Sequence, residues 1–293
     1  YYFIPDNAVC YQETDLMLGL KYLNDLADRL ALPLVVCITV GTSMGGHTGT
    51  LPFPYLIEGY STKPNRITVI GTGNEADKRH HYYNTLAGPT DTKTVEVRVG
   101  ENVNGFFLEL WTEIPNILSI SMISPSGENT FRIPLRVGAA AELDFLFERT
   151  TVTVDYRVLV EKTTSELIFF RFDAPAPGIW KIIVEPLNAI DGSFHMWLPM
   201  TEFLSGEVYF LESDPYYTLT SPANTASPVV VSYYDGNTEG AAQTSGRGYT
   251  RAQRINPDIT APGINIRGAL PGGRFSTRSG SCASAAVTAG AVA

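Results

Sequence analysis

The sequence predicts an α/β domain with a parallel sheet, interrupted by an antiparallel β domain of sandwich or jelly-roll type. Three observations lead there. Leu16, Leu20, Leu23, Leu26 and Leu30 recur at spacings of three and four, one face of a helix, and an apolar run at 34–40 follows at once. Near residue 90 the pattern changes to short alternating runs separated by turn signals. From about 206 a further apolar strand and a small-residue helix bring back the α/β character. The reading divides the chain into a first α/β part at 1–90, an inserted β domain at 91–205 and a second α/β part at 206–293.

Each element has a local reason. The first helix is expected over 14–31, capped by Asp15 and ended before Pro33. The run from Leu34 to Val40 reads as a strand buried on both faces, with Cys37 inside it as a small core residue. Gly41-Thr42-Ser43-Met44-Gly45-Gly46 reads as a tight turn leading to a helix near 52–60. Ile67-Thr68-Val69-Ile70 is a second buried strand, followed by Gly71-Thr72-Gly73-Asn74-Glu75. Strand, helix, strand in this order implies right-handed βαβ units.

The central region alternates instead. Val95, Val97 and Val99, then Phe107, Leu108 and Leu110, then Leu118, Ile120 and Met122 mark successive strands. Runs at 152–158, 167–172 and 180–185 follow, with turns at Pro125-Ser126-Gly127 and Pro175-Ala176-Pro177-Gly178. No helical periodicity interrupts them. Pro228-Val229-Val230-Val231-Ser232 is then a buried strand. The remainder reads as Gly- and Ser-rich loop up to a helix starting at Cys282.

Composition removes several classes of function. With 44% apolar and 17% charged residues among 293, the chain can bury a sizeable core and is not disordered. A net charge of −9 with no basic block gives nucleic acid no electrostatic footprint. No apolar run reaches the length of a bilayer span, and the first nine residues lack the pattern of a secretion signal. Three widely spaced cysteines, Cys10, Cys37 and Cys282, suggest neither a disulfide framework nor a zinc site. No carboxylate cluster argues for calcium, and no cofactor or metal is expected. The opening on Tyr1-Tyr2-Phe3-Ile4 and the stop inside an apparent helix lead us to expect a fragment, incomplete at both ends.

Three segments carry chemistry. They are Gly71-Thr72-Gly73-Asn74-Glu75, then Asn256-Pro257-Asp258-Ile259-Thr260-Ala261-Pro262-Gly263, then Gly280-Ser281-Cys282-Ala283-Ser284-Ala285-Ala286-Val287-Thr288-Ala289-Gly290-Ala291. In this order they resemble the oxyanion-loop, Pro-Asp-Ile-x-Ala-Pro-Gly and nucleophile segments of subtilisin-like serine peptidases. Within that family the pattern is most similar to the clostridial spore-germination, or Csp-type, subtilases, which carry a jelly-roll domain just after the Asn loop. The resemblance implies hydrolysis of proteins or peptides by acyl transfer. Asn74 would donate to the oxyanion, a contribution typically worth about 3 kcal/mol in the transition state. Position 282 would supply the nucleophile, and Gly41, Thr42, Ser43, Gly71, Thr72 and Gly73 would line the substrate groove. A substrate backbone there would add as a further strand. The resemblance also implies an extracytoplasmic or spore-associated setting. Its partners would be a protein or peptide substrate and the missing N-terminal portion of the same protein.

The chain departs from the family in two respects. Cys282 stands where the nucleophilic serine belongs, and neither the Asp nor the His motif of the triad occurs. Cys282 therefore has three readings: the inert residue of a pseudoenzyme, a deliberate replacement, or a working thiol at a helix N-terminus. Lack of a general base weighs against the third. Gly46-His47-Thr48-Gly49-Thr50 mimics the His motif out of register, so His47 reads as a loop or helix-start residue. Ser281 and Ser284 are out of register for the nucleophile, and Asp258 reads as structural. His80 and His81 read as a surface or loop pair. The expectation is a subtilase chain that does not cleave peptides; the alternative is a pseudoprotease that acts as a binding, sensor or scaffold protein in spore germination.

Overall fold

The leucine stripe folds as a helix, as expected. In the computed structural model, which describes residues 3–133, 135–160 and 163–293, helix α1 spans Glu13–Leu30. Only part of the predicted stripe is covered: Leu20 is buried with Leu16 alongside, whereas Leu23 and Leu30 are exposed. Its N-cap is Gln12, without a side-chain bond, so Asp15 lies in the first turn rather than at the cap. The Glu13 carboxylate instead accepts the backbone N–H of Phe53, at 2.9 Å. Ala31 closes the helix in the left-handed region, at φ 54°. Strand β1 (Leu34–Ile38), helix α2 (Pro52–Ser61) and strand β2 (Arg66–Gly71) follow. Proline starts α2, where its missing N–H costs nothing. β1 ends at Ile38 and is only half-buried; Cys37 is exposed rather than core. The reason is position: β1 is the edge of its sheet, with a single neighbour, β2.

Ten strands then build a separate compact unit of Lys78–Asp214 together with the segment up to Ala8. They are β3 (His81–Thr85), β4 (Lys93–Val99), β5 (Gly105–Glu113), β6 (Ile117–Ile123) and β7 (Ala141–Phe145). β8 (Thr150–Val158), β9 (Ser165–Asp173), β10 (Gly178–Asn188), β11 (Ser193–Trp197) and β12 (Val208–Phe210) complete the set. They form two sheets, in the orders β12-β4-β10-β6 and β3-β11-β5-β9-β8-β7, with every ladder antiparallel. Alternation decides the core: Val95, Val97 and Val99 of β4 and Trp180, Ile182 and Val184 of β10 are fully buried. Trp180 meets Phe145 and Phe172 edge-on, with centroids 4.9 and 5.6 Å away. β3 and β12 lie outside the composition boundaries at 91 and 205. They are short, five and three residues, and their backbones pair with β11 and β4.

The chain returns to the first unit, which comprises Val9–Asp77 and Pro215–Ala293. It adds β13 (Val229–Asp235), β14 (Gly240–Ala241), β15 (Ile259–Pro262), β16 (Ile266–Leu270), β17 (Arg274–Arg278) and helix α3 (Ser281–Val292). β1, β2, β13 and β15 are parallel, and β14 pairs antiparallel with the end of β13. The stretch read as continuous loop thus contains an exposed hairpin, β16–β17. A ribbon wetted on both faces needs no apolar alternation, so periodicity could not reveal it. Helices cover both faces of the parallel sheet. Leu20 of α1 and Phe53 and Ile57 of α2 share a cluster with Ile70 and Val230. Ala285 and Ala289 of α3 share another with Val69, Val231 and Ala261. Small residues on α3 let that helix approach the sheet closely. No described helix is long and apolar enough to cross a membrane.

Candidate active site

The three motif segments meet at the N-terminus of α3. The Gly280 N–H donates to the Gly263 carbonyl at 2.8 Å, joining the second motif to the third. The Ser281 N–H donates to Asn74 Oδ1 at 3.0 Å. The Gly73 N–H donates to Ser281 Oγ at 3.1 Å, joining the first motif to the third. Ser281, which register excludes as a nucleophile, is therefore a buried clamp between the loop after β2 and the start of α3. Two glycines make this approach possible. A Cβ on Gly71 would lie 2.7 Å from the Ser281 carbonyl oxygen. Gly280 has φ 130° and ψ 175°, a region side chains avoid, and a Cβ there would lie 3.1 Å from Asn74 Oδ1.

Cys282 is the second residue of α3 and is exposed. Its thiol donates to the Thr39 carbonyl at 3.2 Å, a partner that the sequence motifs do not name. Thr39 lies just beyond β1, so the edge of the sheet and the expected nucleophile position come together. With Oδ1 of Asn74 taken by Ser281, its amide nitrogen remains the donor end of that side chain.

The residues expected to line a substrate groove divide by backbone direction. Thr42 spends both backbone groups on Ser221: its N–H donates to the Ser221 carbonyl at 2.9 Å, and its carbonyl accepts from Ser221 N–H at 2.7 Å. Successive residues of an extended chain point these groups to opposite edges, so Gly41 presents its own away from Ser221. Gly41 has to be glycine here, since a Cβ would meet Thr220 Oγ1 at 2.7 Å. The Ser43 carbonyl is bonded to the His47 ring at 2.8 Å. Thr72 is wholly buried, with its N–H on Val231 and its carbonyl receiving Thr220 N–H, each at 3.1 Å. The Gly73 carbonyl accepts from Gly246 at 3.1 Å, and Gly71 faces Ser281. Thr42 and Thr72 thus have their backbone groups engaged within the chain.

The remaining candidates are placed as follows. His47 is a buried loop residue at φ 51°, hydrogen-bonded to backbone at Ser43 and Leu219. Burial pushes its pKa down to about 4, so it is neutral near pH 7. Asp258 is structural: its carboxylate accepts the Val230 N–H at 2.7 Å, and its own N–H donates to the Val230 carbonyl at 2.9 Å. His80 and His81 are both buried, not surface residues. His81 lies in the antiparallel unit, with Nε2 3.0 Å from His195 Nδ1 and its ring stacked on Trp197. His195 could not be paired with it from sequence, since 114 residues separate them. Among the described residues no group of three or more His, Cys, Asp or Glu could hold a metal ion.

Comparison with known proteins agrees with this geometry. The sequence profile of the subtilase family matches residues 211–293, which include the second and third motifs. The solved structure of the Clostridium perfringens CspB protease superposes with a TM-score of 0.85 at 28% identity. The match covers 96% of this chain and 58% of the CspB chain, so this chain spans little more than half of that protein. No curated protein sequence matched. In its sheet order and its three converging motifs the chain is similar to subtilases, with a subtilase segment at 211–293 and a fold like that of the CspB protease.

Proposed function

We infer that this chain is the part of a Csp-type subtilase that carries the oxyanion loop, the substrate edge and the nucleophile position, and that it does not hydrolyse peptides. The observation that carries the reading is Cys282, set at the head of α3 beside the Asn74 loop but donating its thiol to the Thr39 carbonyl. A subtilase nucleophile needs a base to take its proton. His47, the one histidine of the α/β unit, is committed to backbone partners and kept neutral by burial. In this proposal the acid and base come from the N-terminal portion of the same protein. Asn74 would stabilise an oxyanion through its amide nitrogen, and Gly41 would hold the substrate backbone by its outward edge. Sulfur is larger than oxygen, and a site shaped for a serine adduct tolerates such displacement poorly.

A second reading is favoured by the same thiol bond. The protein then serves as a pseudoprotease that binds a peptide along the Gly41 edge, as a sensor or scaffold in spore germination, outside the cytoplasm or on the spore. The two antiparallel sheets around one core support a jelly-roll insertion of the kind Csp-type subtilases carry. A fluorogenic peptide assay on the parent protein separates the readings. We expect no turnover with Cys282, and turnover with Cys282→Ser only if the acid and base are intact. Turnover with Cys282 that disappears in Cys282→Ala would overturn the proposal.

A further inference from the structure

A second cysteine faces the nucleophile position. Side chains two residues apart on an extended segment share a face. Val35 of β1 packs against the cluster that contains Ala285 and Ala289 of α3. Four residues on, the Thr39 carbonyl receives the Cys282 thiol. Cys37 lies midway on the same line, so its side chain faces the first turns of α3, where Cys282 stands. Burial pushes the Cys37 thiol up, and the charge of Cys282 adds to the effect. Both residues are exposed, so a small oxidant can reach them. Neither the family resemblance nor the nucleophile motif assigns any role to Cys37.

We propose that Cys37 and Cys282 form a redox pair, which hydrogen peroxide converts to a disulfide that ties β1 to the head of α3 and masks position 282. The first oxidation is assigned to Cys282, since burial raises the Cys37 thiol and leaves it less often a thiolate than an unshifted thiol. The Cys282 thiolate attacks one peroxide oxygen, the O–O bond breaks, and hydroxide leaves; Cys282 becomes a sulfenic acid. The Cys37 sulfur then attacks the Cys282 sulfur. The S–S bond forms, the S–O bond breaks, and the oxygen departs as water with the proton released by Cys37. Two thiols and one peroxide become one disulfide and two waters, with two electrons passing from sulfur to peroxide. The oxidised form loses the thiol donor to Thr39 and closes position 282 to any ligand. The pair stands apart from the question of peptide cleavage and is tested without it.

The test is oxidation of the purified chain with hydrogen peroxide, followed by alkylation, trypsin digestion and mass spectrometry. Two of the three alkylatable cysteines should be lost, with Cys10 still labelled. A cross-linked peptide pair containing Cys37 and Cys282 should appear, two hydrogens lighter than the sum of its parts, and dithiothreitol should restore both thiols. In Cys37→Ser, Cys282 should stop at the sulfenic acid and be trapped by dimedone. Sulfinic acid at Cys282 with Cys37 still fully alkylated would overturn the proposal, as would a disulfide that includes Cys10. The mapping on the unaltered chain decides by itself, so a poorly folded variant does not blunt it.

Discussion

The two units of this chain specify their structures by different means. The antiparallel unit rests on one continuous core of large side chains, with Trp180, Phe145, Phe170 and Phe172 fully buried. The α/β unit rests on smaller clusters and places its site by bonds from main-chain N–H groups: Gly280 to the Gly263 carbonyl, Ser281 to Asn74 Oδ1, Gly73 to Ser281 Oγ. Bulk holds the one; close backbone approach, which demands glycine and small polar residues, holds the other. The difference teaches where substitutions should hurt. Loss of volume should dominate in the antiparallel unit, and loss of local geometry should dominate at the head of α3.

The largest effect should come from Trp180→Ala. It removes the ring that Phe145 and Phe172 contact edge-on and leaves a cavity in the core, at a cost of about 4 kcal/mol. Hydrogen exchange should accelerate along β4, β6 and β10. If a change of this size left those amides protected, the picture of a core held by bulk would fail.

Acidity should separate the units next, because their buried titrating groups respond in opposite directions. Glu166 of the antiparallel unit is fully buried; Oε2 accepts the Leu118 N–H at 2.8 Å, while Oε1 has no hydrogen-bond partner. Burial raises its pKa from 4.5 to about 7. The fold thus binds the proton more tightly than the unfolded chain. Stability from Glu166 is complete below pH 4.5 and drains away as pH rises towards 7, by about 3 kcal/mol. His47 of the α/β unit has its pKa lowered from 6.5 to about 4. The unfolded chain takes up that proton first, so stability is complete above pH 6.5 and is lost as pH falls towards 4, again by about 3 kcal/mol. Amide exchange followed from pH 4 to pH 8 should loosen β1 and α2 at the acid end and β6 and β9 at the neutral end. Glu166→Gln should flatten the second trend and leave the first intact. Parallel trends in both units would break the comparison.

Gly280→Ala should come third, at about 2 kcal/mol, because φ 130° with ψ 175° is a conformation that a side chain resists. The added Cβ also presses on Asn74. The Ser281 amide should lose protection while the antiparallel strands keep theirs. Equal loss in both would show that the site is not set locally.

The sequence displayed the two units unequally. Alternation at Val95, Val97 and Val99 or at Trp180, Ile182 and Val184 announced long core strands, because burial on one face writes period two into the chain. It did not mark β3, β7, β11, β12, β14, β15 or the β16–β17 hairpin, short strands whose places are set by backbone pairing with their neighbours. It placed Cys37 in a core because an apolar run reads as buried whether or not a neighbouring strand covers it. At the site, motif spacing proposed Asn74 and Cys282 but could not show that Ser281 is clamped against the Asn74 loop, nor that a carbonyl at Thr39 receives the thiol. Thr39 and Cys37 share a face with Val35, and that alternation was the available signal.

The smallest predicted effect bears on Asp258, the one acidic residue of the second motif. Its carboxylate accepts a single backbone N–H, from Val230, at the start of β13. An ionised acceptor makes a stronger bond than a neutral one, so Asp258→Asn keeps an acceptor but weakens it, at a cost of about 1 kcal/mol. Exchange should quicken at Val230 and its neighbours on β13, and alkylation of Cys282 should proceed at an unchanged rate. That pattern assigns Asp258 to holding β13 against the segment that leads to β15, with Gly263 then reaching Gly280 through the same segment. If Cys282 reactivity moved while β13 protection did not, Asp258 would act on the site itself, and the distinction between strand-holding and site-forming residues in the α/β unit would have to be redrawn.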